Sequence, residues 1–151
     1  MLTDSNSATL SRREQTRQEQ LFQCHDRLET SLLRYLREAS PWVDDRHAGV
    51  IQELRAQAND QDESLAQVAD LLFERNWVPA SPAWPEEYPS LQYLSLRFLW
   101  DRLLEDQQEI VALLDDVLAQ GDNNAEFPTI ANVRTRETER LEALRQINLT
   151  R

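Results

Sequence analysis

Apolar side chains recur every three to four residues in four long stretches of the chain, the spacing that lines one face of an α-helix. The first stretch runs from about Ser11 to Ala39 and puts Leu21, Leu28, Leu32, Leu36 and Ala39 on one face. Ser40-Pro41 stops it, because the residue before a proline avoids the helical region. The second begins at Asp44 or Asp45, either a suitable N-cap. Its stripe is Val50, Leu54, Ala58, Leu65, Val68 and Leu72, fading at Asn76. The third begins after Pro89-Ser90 with Ser90 as cap and carries Leu96, Trp100, Leu103, Val111, Leu114 and Leu118. Gly121 falls just past its end, where a left-handed residue commonly stops a helix. The fourth opens at Phe127-Pro128, with proline in the first turn, and carries Ile130, Val133, Leu141 and Leu144. Strand signals are poor: no stretch alternates apolar and polar residues for long, and no Asn-Gly or Asp-Gly hairpin turn occurs. The expected fold is all-α, a four-helix bundle, with residues 1–10 as a disordered tail and 11–151 as one domain.

The connectors arrange these helices. The first and last links (SPWVDD and GDNNAE) are short and favour antiparallel neighbours. The middle one, residues 77–89, reads WVPASPAWPEEYP. Extended, it reaches about 40 Å at ~3.1 Å per residue, while a helix of about 30 residues is about 45 Å long. It either crosses the bundle, joining two antiparallel hairpins and making the second and third helices parallel, or folds over one end as a cap. Trp77, Trp84 and Tyr88 would pack it down.

One polar residue stands in the middle of each apolar stripe: His25, Gln61, Gln107 and Glu137. Counting along each helix from its turn places all four near mid-height, so they should share a central layer. A buried polar layer is costly unless its members bond one another. It either fixes the helix register, as a buried Asn does in a coiled coil, or forms a metal or small-ligand site, since bundle cores are where such sites are built.

Two antiparallel hairpins, a long crossover and a mid-bundle polar layer together resemble the ferritin-like superfamily. The resemblance is architectural and covers most of the chain. It implies a Glu on each of two helices and a Glu-x-x-His on each of the others, holding two metal ions. Here Glu137 is the one matching carboxylate, and Arg140 stands where its His would follow. Gln61, with Ser64 three residues on, takes the second helix's position; Gln107 takes the third's; His25, with Glu29 one turn on, takes the first's. Glutamine copies the shape of glutamate without its charge, and a di-metal centre needs several carboxylates. Arg140 would repel a cation or pair with Glu137. No metal or cofactor is therefore expected; a reduced metal site would use His25, Glu29 and Glu137.

Composition narrows the chemistry further. The net charge is -11, and all 16 basic residues other than His are Arg. Without Lys there is no Schiff base and no P-loop lysine. Gly49 and Gly121 cannot form a glycine-rich phosphate loop. Cys24 alone excludes an internal disulfide and a thiolate cage, and reads as a small buried hydrophobe. Asp44 and His47 have the spacing of a cap and a half-exposed histidine. The acidity argues against nucleic acid, which needs a basic surface. No apolar run approaches the ~18 to 20 residues of a membrane span, and the first residues lack an apolar leader, so a cytoplasmic protein is expected. Tyr88 to Trp100 is apolar around much of its circumference: either buried under the connector or a homodimer face using Tyr93, Phe98 and Trp100. The functional expectation is a non-catalytic bundle engaged in protein interaction or homo-oligomeric scaffolding. The alternative is a divergent metal binder or metal-dependent oxidase with a reduced site.

Overall fold

The computed structural model describes residues 2–39, 41–91, 94–120, 125–147 and 149, with side chains from residue 12 onward. Every regular element among them is helical: α1 (Leu2–Glu29), α2 (Leu32–Ala39), α3 (Ala48–Glu74), α4 (Tyr88–Leu91), α5 (Leu96–Leu118) and α6 (Phe127–Arg145). One turn of 3-10 helix, Asp45–His47, precedes α3.

The boundaries depart from the hydrophobic pattern in four places. α1 begins at Leu2, ahead of Ser11. The long first helix is two helices, broken at Thr30-Ser31. Asp44 does act as a cap, but for the 3-10 turn: its carboxylate accepts the His47 N–H at 3.2 Å and contacts the ring Nδ1 at 2.6 Å. α5 starts at Leu96, and its cap is Ser95 instead of Ser90. Ser95 has the extended backbone a cap requires, and its hydroxyl accepts the Phe98 N–H at 3.3 Å. The Ser90 hydroxyl instead donates to the Glu87 carbonyl at 2.7 Å, inside the short α4. α6 begins at Phe127-Pro128 as the pattern implies. Gly121 and Tyr93 lie outside the described residues.

Two apolar clusters form the core. One gathers Leu21, Cys24 and Leu28 of α1 with Val68, Leu71 and Leu72 of α3, Ile110, Leu114 and Val117 of α5, and Ile130 and Val133 of α6. The other gathers Leu32, Leu33 and Leu36 of α2 with Leu54 and Ala58 of α3, Leu96, Leu99 and Leu103 of α5, and Leu144 of α6. Late α1 thus meets late α3, late α5 and early α6. The α1–α2 arm therefore runs antiparallel to both α3 and α5, and α6 runs antiparallel to α5.

Asn76 ends α3. It sits at φ 60°, and the Trp77 and Asn76 amides return to the Leu72 and Phe73 carbonyls at 2.9 and 3.0 Å. This closes the last turn in the Schellman pattern, where Asn tolerates the left-handed region better than most residues. The connector then leaves one cluster and arrives at the other. Trp77 packs on the first. Trp84 and Tyr88 meet the Tyr35 ring of α2 with centroids at 5.3 and 5.1 Å. Trp100 is buried while Phe98 is 73% exposed, so these two do not share one outward face. Among the described residues no helix is long and apolar enough to cross a membrane.

Candidate functional site

The two clusters are separated by polar side chains. Gln61 lies between Ala58 and Val68, Gln107 between Leu103 and Ile110, and Glu137 between Val133 and Leu144. All three are buried. Gln61 Nε2 donates to Glu137 Oε1 at 2.7 Å and to Gln107 Oε1 at 3.2 Å. Gln107 Nε2 donates to Glu137 Oε1 at 3.1 Å and to the Glu137 carbonyl at 2.9 Å. Three of the four residues singled out by the stripe pattern therefore meet, through the side chains of three different helices.

The fourth does not join them. His25 is buried one apolar layer away, its Nδ1 facing Asp26 at 3.4 Å and Glu29 at 3.6 Å, both on its own helix. Its place is taken by Ser31, whose hydroxyl donates to Gln61 Oε1 at 2.5 Å. Ser31 sits in the break of the first arm and also caps α2, accepting the Arg34 N–H at 3.2 Å. The break is closed on every side. The Leu32 amide, with no partner in its own helix, donates to Asp106 Oδ2 of α5 at 2.9 Å. The Arg34 guanidinium donates to the Glu29 carbonyl freed at the end of α1. Thr30 returns both its amide and its hydroxyl to the Asp26 carbonyl, at 2.9 and 2.7 Å.

Glu137 is the charged centre of the layer. Besides the two glutamines, its Oε2 accepts the Ser64 hydroxyl at 2.7 Å. Arg140, one turn on, donates Nη2 to Oε2 at 2.7 Å and Nε to Oε1 at 3.1 Å. Arg140 is itself 2% exposed; its Nη1 donates to the Gln57 carbonyl and to Asp60 Oδ2, both at 3.0 Å. Burial pushes the Glu137 carboxyl up. The hydrogen bonds and charge of Arg140, helped by Gln61 and Ser64, outweigh this and hold it below its ordinary 4.5. Burial likewise lowers Arg140, and Glu137 and Asp60 more than reverse it. The pair is ionised, mutually neutral and saturated with hydrogen bonds.

Such a site leaves little for chemistry. Both carboxylate oxygens are occupied by donors, so Glu137 has no free lone pair aimed at a substrate or a metal. His25 and Glu29 face each other while Glu137 lies in a different layer, and among the described residues no three His, Cys, Asp or Glu side chains converge as a metal site. Burial, with Asp116 nearby, pushes the Cys24 thiol up to about 12, so it stays protonated.

A second buried carboxylate closes the end of the molecule. Glu126, 1% exposed, precedes α6 and meets Arg17 of α1 at 3.2 Å through Oε1 and the Arg75 guanidinium, just past α3, through Oε2. Arg75 also lies over the Trp77 ring, 5.3 Å from its centroid. Oε1 makes no hydrogen bond among the described residues.

Of the two outcomes the sequence leaves for Arg140, repelling a cation or pairing with Glu137, the second is the one observed, and Ser64, three residues after Gln61, joins the layer as well. Sequence reasoning missed Ser31, Asp106 and Glu126. Comparison with protein family models, with curated proteins and with solved structures finds no match to this chain.

Proposed function

We propose that this chain is a non-catalytic four-helix bundle of ferritin-like topology that serves as a protein-interaction scaffold. The observation that carries this reading is the closure of Glu137. The carboxylate that the resemblance would make a metal ligand is bonded instead by two amides, a hydroxyl and a guanidinium. A hard dication prefers charged and carbonyl oxygens. One carboxylate already neutralised by Arg140 does not fit it. The connector's passage from the Trp77 end to the Tyr35 end supports the crossover topology. The acidity, at -11, favours protein partners over nucleic acid.

The test is the metal content of protein purified without chelator, by mass spectrometry. The expected result is metal well below one ion per chain. Stoichiometric iron, manganese or zinc, lost in a Glu137→Ala/His25→Ala variant, would establish the opposing reading of a reduced metal site.

A further inference from the structure

The seam between α1 and α5 carries an open groove of about 510 Å³, with carboxylates on both sides of an apolar strip. Ala112 and Leu113 of α5 supply the strip, Asp26 of α1 stands on one side, and Glu109 and Asp116 of α5 stand on the other. The groove runs on into a second pocket of about 340 Å³, which shares Arg27 and Glu109 with it and adds Glu105 and the buried Asp106. Glu105, Glu109, Ala112 and Asp116 follow at intervals of four, three and four residues. They therefore share one line along α5, about 17 Å long at 1.5 Å per residue. The two guanidiniums that line this trough are already committed: Arg27 to Asp106 and Glu109, at 2.7 and 2.8 Å, and Arg102 to Glu87, at 2.8 Å. Among the described residues Glu105 and Asp116 form no ion pair, and Asp26 meets only the His25 ring, at 3.4 Å. Burial pushes the Asp106 carboxyl above its ordinary 3.8, and Arg27 and the Leu32 amide do not reverse it. The trough is short of positive charge both at its surface and beneath it.

Elsewhere on the surface, carboxylates are met by arginines of neighbouring helices: Asp62 by Arg34 and Arg37, Asp60 by Arg136 and Arg140, Asp115 by Arg134. Here they flank an apolar strip and wait for a cation. A partner that covered them with apolar surface alone would take charges out of water with nothing to balance them. An anionic partner would be repelled. The occupant has to bring an apolar stripe and its own cations together. Three turns of amphipathic helix do this over the length of the trough, with the stripe on the apolar strip and basic side chains along both edges. We propose that the α1–α5 trough docks a basic amphipathic helix of a partner protein, its apolar stripe on Ala112 and Leu113 and its arginines or lysines against Asp26, Glu105 and Asp116. Matched charge of this kind sets which partner is accepted and how fast it arrives. This inference names the kind of partner for the scaffold reading and rests on it.

Fluorescence anisotropy of a labelled synthetic helix, titrated with the full chain at about 0.15 M salt, tests it. The probe is about 18 residues long, enough to fold alone, with Leu on one face and Arg along both edges of that face. The wild type should bind it one to one. Asp26→Asn/Asp116→Asn should weaken binding by about 10-fold, and Asp26→Arg/Asp116→Arg by about 100-fold or more. The reversed protein should instead bind the same helix built with Glu in place of Arg. Glu63→Gln/Asp70→Asn removes the same charge as the first variant from exposed positions on α3, outside the trough. It should leave binding within about two-fold. Asp116 is exposed and Asp26 half-buried, and circular dichroism would verify that the variants fold. A wild type that fails to bind would overturn the proposal. So would an equal loss in the α3 variant, because net charge and not the trough would then hold the probe. A chain that is already dimeric and sheds its copy as the probe binds would also overturn it, with a second copy as the trough's occupant. Stoichiometric metal in the same preparation would overturn the scaffold reading beneath it, a readout independent of anisotropy.

Discussion

Glu137 and Glu126 are both buried carboxylates held by arginine, yet they do different work. Glu137 sits at the centre of the core with a partner from its own helix, Arg140, that is as buried as itself. It is bonded from α3 and α5 as well. Glu126 sits at one end with two partners from other parts of the chain, each a quarter to a third exposed. The Glu137 layer divides the core into two apolar clusters and admits one helix register, because a slip would leave a charge or an amide facing leucine. The Glu126 clamp ties the start of α6 to α1 and to the end of α3, in reach of water that can replace any lost partner. The lesson is that the cost of a buried charge depends on whether its partners can rehydrate when it is lost, more than on its own exposure.

The comparison breaks most visibly at Arg140. Arg140→Met should cost about 3–5 kcal/mol, because it strands the Glu137 charge in the core. Combined with Glu137→Leu the loss should largely vanish, since an apolar pair of similar volume can match a buried ion pair. Urea unfolding of both variants measures the difference; an equal cost in the single and the double variant would mean that the layer's packing, and not its charge balance, matters. Glu126→Gln should cost less, about 1–2 kcal/mol, because Arg17 and Arg75 can turn to solvent. A cost equal to that of Arg140→Met would erase the distinction drawn between the two carboxylates.

Acid titration sharpens it further. The Glu137 carboxyl is held below its ordinary 4.5, so the unfolded chain takes up this proton first. Its contribution to stability is complete above that value and falls away as the pH drops through the folded-state pKa. In Arg140→Met the burial acts without the arginine and raises the folded-state pKa above 4.5. The sign reverses: acidification through that pKa should then stabilise the fold relative to neutral pH. Denaturant midpoints between pH 3 and 7 would show the two opposite slopes, and equal slopes would remove Arg140 as the cause.

Much of the helical architecture was legible because burial leaves a period in the sequence. The stripes located α3, α5 and α6 to within a few residues, and a polar residue within a stripe located Gln61, Gln107 and Glu137. His25 was misplaced for a physical reason. Its height was counted along an unbroken first helix and against a second helix starting at Asp45. The chain interrupts the first at Thr30-Ser31 and starts α3 at Ala48, which brings Ser31 level with Gln61. The spacing of Leu28 and Leu32 hides this, because four residues fit a continuous helix equally well. A serine that caps one helix and bonds another looks, in sequence, like any serine. Glu126 was invisible in the same way, as one acid in an acidic chain.

The Leu32 amide has a consequence of its own. In an unbroken helix this N–H would be shielded from solvent deuterium by its own segment, and its exchange would report local fraying. Here its acceptor is Asp106, on a helix far away along the chain. Its hydrogen-exchange rate therefore follows the undocking of α5 from the first arm. One amide in the middle of a helical arm becomes a gauge of when two distant segments of the chain come apart.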